Sequence, residues 1–153
     1  WDRFWENPFL TSQQSALFVT FRDHARAVLD DLQDSDFGLI HADLVPDNVL
    51  HHTGNLMPID FDDGGFGHRL FDLATITFRS RRTDPTGALA GAAIAGYRSL
   101  REIDQTALPL FEALRACSYV GWNMSRMNED AAGDRNARFI SAAEARINAY
   151  LKP

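Results

Sequence analysis

The chain of 153 residues lacks most features that mark specialised classes of protein. Its single cysteine, Cys117, excludes an internal disulfide framework and a four-cysteine zinc site. No run of about 18 apolar residues is present, so no transmembrane helix is expected. The 15 Lys and Arg residues are outnumbered by 21 Asp and Glu, and this balance argues against a nucleic-acid-binding surface. No secretory signal pattern begins the chain, and we therefore expect a cytoplasmic protein.

What is present is ordinary for a globular protein, with 45% hydrophobic and 24% charged residues. The length suits one domain with a packed core. The opening is unusual, because Trp1 stands where a methionine is expected and a second tryptophan, Trp5, follows closely. We interpret the chain as a piece of a longer protein.

The pattern of apolar residues predicts an α+β fold that is mainly helical. Helical spacing predicts helices at about 12–32, 69–79, 87–100, 105–127 and after Gly133. Short apolar runs predict strands at 37–40, 48–51 and 56–61. The second and third strands are expected to form a hairpin over the turn at 53–55, and glycines interrupt the chain at 64–67. The strands therefore make a small β insert among helices.

Polar residues cluster in two loops of this insert. They are His41, Asp43, Asp47 and Asn48 in the first loop, and Asp60, Asp62 and Asp63 in the second. Phosphoryl transfer needs a group that orients and deprotonates the attacking hydroxyl, and oxygen ligands for Mg²⁺. Mg²⁺ prefers carboxylates, amide oxygens and water, with few protein ligands. Asp43, Asn48 and Asp60 supply these groups, whereas Asp62 and Asp63 are interpreted as turn residues.

These residues resemble two motifs of kinases. Residues 41–48 read HADLVPDN, similar to the catalytic loop H-R-D-L-x-x-x-N, and residues 60–62 read DFD where kinases have D-F-G. Ala42 replaces the arginine, Asp62 replaces the glycine and no A-P-E segment follows. These differences point away from eukaryotic-type protein kinases.

The pattern instead resembles the aminoglycoside phosphotransferase and choline kinase-like superfamily, whose H-x-D-x-x-x-x-N is followed by I-D, G-x-G and D-L-A. The chain has these motifs in order at 59–60, 65–67 and 72–74. The resemblance is close over 36–76. The aromatic opening and the helix at 108–127 look most like the homoserine kinase and stress response kinase branch.

The resemblance implies the C-terminal lobe of a protein-kinase-like fold and an ATP-dependent phosphotransferase. By it, Asp43 is the catalytic base, and Asn48 and Asp60 hold Mg²⁺ and thereby the nucleotide. His41 would brace the loop, and Asp72 would hydrogen-bond its backbone. The partners it implies are ATP and a hydroxyl-bearing acceptor, a small molecule or a protein Ser/Thr, with no nucleic acid and no membrane.

The nucleotide-clamping half of a kinase is missing from this sequence. That half carries a Gly-rich loop and a strand lysine paired with a helix glutamate. The sole lysine here is Lys152, near the end of the chain. We therefore expect residues 1–153 to form a single kinase-like C-terminal lobe without its N-terminal lobe, and to show little or no turnover alone.

Two alternatives remain open from the residues alone. His41, Asp43, His51 and Asp60 suit a metal-dependent hydrolase, since His and carboxylate ligands bind Zn²⁺, Fe or Mn²⁺. A second alternative is a helical binding module with a degenerate kinase loop and no catalysis. The joint presence of Asp43, Asn48 and Asp60 argues against degeneration.

Overall fold

The computed structural model of the chain describes residues 3–32, 36–129 and 133–152. The chain forms two compact units, Trp1–Gln33 with Ala113–Pro153, and Asp34–Glu112. Its helices are α1 (Ser12–Asp31), α2 (Leu70–Ser80), α3 (Ala88–Leu100), α4 (Leu108–Met124) and α5 (Asp134–Leu151). Its strands are β1 (Phe37–Ile40), β2 (Val49–His52), β3 (Asn55–Pro58) and β4 (Gly65–His68). The prediction of a mainly helical α+β fold is confirmed.

The first unit is helical. Thr11 begins α1 with a capping box, in which its side chain accepts from the Gln14 N–H and Gln14 accepts from the Thr11 N–H. The apolar face of α1 buries Phe18 and Phe21, and α5 buries Ile147 among others. Helical spacing of these residues in the sequence is what made both helices predictable.

The second unit holds two separate two-stranded antiparallel sheets, β1 with β4 and β2 with β3. The hairpin of β2 and β3 was predicted, but β4 and its pairing with β1 were missed. β4 reads Gly65-Phe66-Gly67-His68, and glycine is poor in strands by propensity. The close approach of β1 explains Gly67, since a Cβ there would crowd the Ile40 side chain.

Two predicted boundaries also need correction. The third strand ends at Pro58 instead of residue 61, because Asp60 has a φ of 62°, which no strand accommodates. Helix α4 begins at Leu108 instead of 105, because the Asp104 carboxylate accepts from the Thr106 N–H in a local turn. Pro109 then lies in the first turn of α4, where its missing N–H costs nothing. In the described part of the chain, no helix has both the length and the apolarity to cross a membrane.

Candidate active site

The predicted site residues all lie in the unit Asp34–Glu112. His41 and Asp43 follow β1, Asn48 precedes β2, Asp60 follows β3 and Asp72 lies in the first turn of α2. The site is therefore built from loops at strand ends and from one helix start, all within one compact unit.

Asp72 binds the backbone of the loop that follows β1. Its Oδ2 accepts from the His41 N–H at 2.8 Å, and its Oδ1 accepts from the Ala42 N–H at 2.8 Å. Hydrogen bonds to an ionised carboxylate are roughly twice as strong as neutral ones. Two such bonds to consecutive peptides fix the direction in which the chain leaves β1.

Ala42 is held in the left-handed region, with a φ of 65°. This conformation turns the chain between the His41 and Asp43 peptides, and it costs a non-glycine residue about 1–3 kcal/mol. Alanine avoids the further crowding that a β-branched side chain would add at this φ.

His41 is buried, with 5% of its surface exposed. Its Nε2 lies 2.9 Å from the Ile59 carbonyl oxygen, which can only accept, so the ring carries a proton on Nε2. Its Nδ1 accepts from the Asp43 N–H at 3.4 Å, a long contact. The ring of Phe61 covers that of His41 with centroids 4.5 Å apart. His41 thus joins the two polar loops.

Asn48 closes the first loop onto Asp43. Its Nδ2 donates to the Asp43 carbonyl oxygen at 2.9 Å and to the Asp43 Oδ2 at 3.0 Å. A single 3-10 turn, Pro46–Asn48, brings the two residues together across four intervening positions. Because the amide nitrogen is used within the loop, the amide oxygen of Asn48 is the atom available to a cation.

Asp60 is brought beside this loop by the peptide that precedes it. The Ile59 N–H donates to the Asn48 carbonyl oxygen at 2.9 Å, while the Ile59 carbonyl accepts from His41. The Asp60 carboxylate is exposed, and within residues 36–129 no hydrogen bond or ion pair engages it. Carboxylate and amide oxygens are the ligand types that suit Mg²⁺, which takes few protein ligands and completes its shell with water and phosphate.

The other candidate residues, Asp62, Asp63 and His51, lie in a turn and on a strand. Asp62 and Asp63 lie in the turn closed by the Gly64 N–H and the Phe61 carbonyl, 2.8 Å apart. His51 is exposed on β2 opposite Leu56. Among the described residues, no group of three or more His, Cys, Asp or Glu is placed to hold a metal ion. The four residues of the metallohydrolase alternative, His41, Asp43, His51 and Asp60, accordingly form no such group in the part of the chain that the structure describes.

Sequence reasoning missed a second cluster, centred on Asp36 at the start of β1. The Asp36 carboxylate accepts from Arg69 Nη1 at 2.8 Å, Arg101 Nε at 2.6 Å and the Tyr97 hydroxyl at 3.2 Å. Burial raises the pKa of Asp36, but these donors outweigh it and hold the pKa below its ordinary value of 3.8. Arg69 reaches Asp36 across Gly38, where a Cβ would overlap its guanidinium.

The Asp36 cluster and Asp72 act on the two ends of the same strand. Arg69 immediately precedes α2 and binds Asp36 just before β1, while Asp72, three residues later, binds the loop after β1. No signal in the sequence marks this arrangement, because Asp36, Arg69 and Arg101 are separated along the chain and each reads as a surface charge.

Residues 2–116 match the sequence model of the phosphotransferase enzyme family, APH. The chain belongs to this family. The resemblance to the aminoglycoside phosphotransferase and choline kinase-like superfamily is thereby confirmed. No curated protein matches the chain at a significant level.

Solved structures of phosphotransferases share the fold. A microcompartment-associated aminopropanol kinase is 28% identical with a TM-score of 0.73, and the match covers 95% of this chain and 47% of that one. The amicoumacin kinase hAmiN, in complex with AMP-PNP, Ca²⁺ and Ami, is 23% identical with a TM-score of 0.71, covering 95% and 48%. The choline kinase LicA from Streptococcus pneumoniae is 18% identical with a TM-score of 0.73, covering 97% and 52%. The chain thus spans about half the length of these relatives.

Proposed function

We propose that this chain carries the catalytic half of an ATP-dependent phosphotransferase that moves the γ-phosphoryl group to a hydroxyl acceptor. The observation that carries the proposal is the joined pair of loops, in which Asn48 bonds Asp43 and the Ile59 peptide brings Asp60 beside Asn48. This is the arrangement expected for a base and two cation ligands in a member of the phosphotransferase family.

Each side chain has a separate task in this proposal. Asp43 orients the acceptor hydroxyl and takes its proton as the oxygen attacks phosphorus. The Asn48 Oδ1 and the Asp60 carboxylate would hold Mg²⁺, which would offset the negative charge of the triphosphate. His41 and Asp72 touch neither reactant and hold the loops in place through the Ile59 carbonyl and the His41 and Ala42 N–H groups.

The proposal places the nucleotide clamp on protein outside these 153 residues. In support, the relatives are about twice as long, and the β1–β4 sheet leaves Leu39 66% exposed and Phe66 80% exposed as cross-strand partners. Contiguous exposed apolar side chains commonly mark contact with more protein. The chain would then be a kinase-like C-terminal lobe with little ATP turnover by itself.

The acceptor is proposed to be a small-molecule alcohol. The similar structures include kinases of aminopropanol and choline, whose names describe small alcohols. Transfer to a protein Ser/Thr is the less supported choice, because no A-P-E segment follows the second loop in the sequence.

The test is the Asp43→Asn variant of the full-length protein, with Asp62→Asn as the matched control in the exposed turn. ATP consumption and acceptor phosphorylation should fall by about 10²–10⁴-fold in Asp43→Asn, the typical range for losing a general base. Asp62→Asn should keep the parent rate, and the circular dichroism of both variants should be unchanged. Full activity in Asp43→Asn would refute the assignment of the base and of the proposed chemistry at this loop.

A further inference from the structure

An open cavity of about 550 Å³ lies beside the catalytic loop, wholly within residues 44–89 of one unit. Its walls are mostly apolar side chains of the loop, the β2–β3 hairpin and the helices α2 and α3, among them Val45, Val49, Leu56, Ile76 and Leu89. Small-molecule sites have volumes of roughly 300–1,000 Å³ and apolar walls with few polar groups. The cavity has the size and lining of such a site.

Its polar lining is positively charged. Arg79, in the last turn of α2, and Arg82, just after that helix, line the cavity, and no Asp or Glu is among its lining residues. Arg79 lies 4.0 Å from the exposed Asp47 carboxylate, too long for a hydrogen bond. In the described chain, the Arg82 guanidinium has no ion-pair or hydrogen-bond partner. This local charge contrasts with the net charge of −6 for the whole chain.

The hydroxyl groups beside these arginines already donate hydrogen bonds to backbone carbonyl groups. Ser80 Oγ donates to the Thr77 carbonyl at 2.9 Å, and Thr83 Oγ1 donates to the Ser80 carbonyl at 3.2 Å. Among the residues that line the cavity, the only charged ones are Arg79 and Arg82. Guanidinium groups bind carboxylate and phosphate oxygens in pairs, and are the side chains best suited to planar anions.

We infer that this cavity binds the phosphoryl acceptor, and that the acceptor is an amphiphilic alcohol with an apolar body and a carboxylate or phosphate group. The inference rests on the proposed function and adds a substrate class to it. Leu44, Val45 and Pro46 line the cavity and follow Asp43 directly, and Val49 follows Asn48 directly. An acceptor seated on these residues has its anionic group at Arg79 and Arg82 and its hydroxyl near the loop that carries Asp43.

The test uses three alcohols of similar length that differ in charge. They are N-hexanoyl-L-serine, which is anionic, its neutral carboxamide, and the cationic hexyl(2-hydroxyethyl)dimethylammonium ion. Isothermal titration without nucleotide measures their affinities for the 153-residue chain and for its variants. We expect the anionic probe to bind about tenfold more tightly than the carboxamide, the effect of about one charge-assisted hydrogen bond, and the cation to bind most weakly.

Variants of the lining residues test whether the preference for the anionic probe arises in this cavity. Arg82→Met and Arg79→Met should each reduce the preference for the anion, and Asp47→Asn should increase it because a competing carboxylate is removed. Arg98→Met, exposed on α3 and outside the cavity lining, is the matched control and should change nothing. Equal affinities for the three probes, no measurable binding of any, or an anion preference unchanged by Arg82→Met would overturn the inference.

A kinetic arm separates this inference from the proposed function. In the full-length enzyme, Arg82→Met should raise KM for the hexanoylserine acceptor while leaving kcat near the parent value. Phosphorylation of the cationic probe alone would contradict the substrate class and leave the role of Asp43 standing. Binding of the anionic probe together with full activity of Asp43→Asn would support the substrate class and contradict the role of Asp43.

Discussion

Two residues of the site, Ala42 and Asp60, adopt left-handed backbone conformations, with φ of 65° and 62°. Aspartate tolerates this region because its short polar side chain can bond locally, whereas alanine does not have that help. The two positions therefore accept different substitutions for backbone reasons that are independent of their chemistry.

Ala42→Val should destabilise the chain by about 1–3 kcal/mol, because a β-branched residue is strongly disfavoured at this φ. Ala95→Val, at an exposed position of α3, is the matched control and should cost only the helix-propensity difference, below about 1 kcal/mol. Urea denaturation followed by circular dichroism measures both. A cost for Ala42→Val no greater than that for Ala95→Val would contradict a strained turn at this residue.

Asp36 should make stability depend on acidity. Its pKa is below 3.8 in the folded chain, so its ionised form stabilises the fold above that value, and this contribution is lost as pH falls toward the lowered pKa. In Asp36→Asn, the free energy of unfolding should therefore decline less steeply below about pH 3.8.

The comparison with the parent chain is needed because Asp84 and Asp104 also have lowered pKa values, through bonds from Leu89 and Thr106 respectively. Both carboxylates lower the free energy of unfolding at acid pH in the parent and in Asp36→Asn alike. Their effect therefore cancels when the two stability curves are subtracted. Urea midpoints between pH 3 and 6 supply the measurement, with Asp62→Asn as a control that leaves the slope unchanged. If the free energy of unfolding fell equally with pH in Asp36→Asn and in the parent, the cluster would not be what holds the pKa of Asp36 low.

Helices and strands were predicted better from the sequence where their apolar pattern repeats over a longer stretch. The helices α1 and α5 each repeat an apolar face over several turns, and both bounds of α1 and the start of α5 were predicted closely. β4 has four residues, two of them glycine, and its pairing with β1 spans more than twenty positions. The site residues were found through motif spacing, while their contacts through the Ile59 peptide and Arg69 were not, because backbone and long-range contacts leave no local pattern.

Gly38→Ala should weaken the Arg69–Asp36 contact that links the start of β1 to the start of α2. A Cβ at residue 38 would overlap the Arg69 guanidinium, so the arginine has to leave Asp36, at a cost of about 1–3 kcal/mol. Gly65→Ala, in the partner strand with no atom within 4 Å of its Cβ, is the matched control and should cost little. Thermal and urea unfolding of both variants measure the difference.

A double-mutant cycle identifies the cause. In an Arg69→Ala background, most of the cost of Gly38→Ala should disappear, which gives a coupling of at least about 0.5 kcal/mol. Additive costs for the two substitutions would mean that Gly38 is needed for some reason other than the passage of the Arg69 side chain.

On the scale of the whole molecule, the candidate chemistry is confined to one of the two compact units. The loops of that unit are joined by direct hydrogen bonds among His41, Ala42, Asn48, Ile59 and Asp72. These bonds link the loop after β1, the 3-10 turn and the loop after β3 without any other group between them.

Removing divalent cations with EDTA should leave the thermal midpoint of the 153-residue chain unchanged, because direct hydrogen bonds connect these loops. The same treatment should abolish phosphoryl transfer by the full-length protein, and added Mg²⁺ should restore it. Calorimetry and a coupled ATP assay are the measurements. A fall of several degrees in the midpoint, reversed by Zn²⁺, would instead indicate a structural or hydrolytic metal site.

The Ile59 peptide joins both loops through its N–H and carbonyl groups, atoms that every residue except proline supplies in full. Saturation mutagenesis ranks positions by the side chains they tolerate, and would record position 59 as a packing residue with a wide choice of apolar side chains. Only proline, which removes the N–H, would expose its part in the site. Replacement of the Pro58–Ile59 amide by an ester, through chemical ligation, removes the same N–H and keeps the isoleucine side chain.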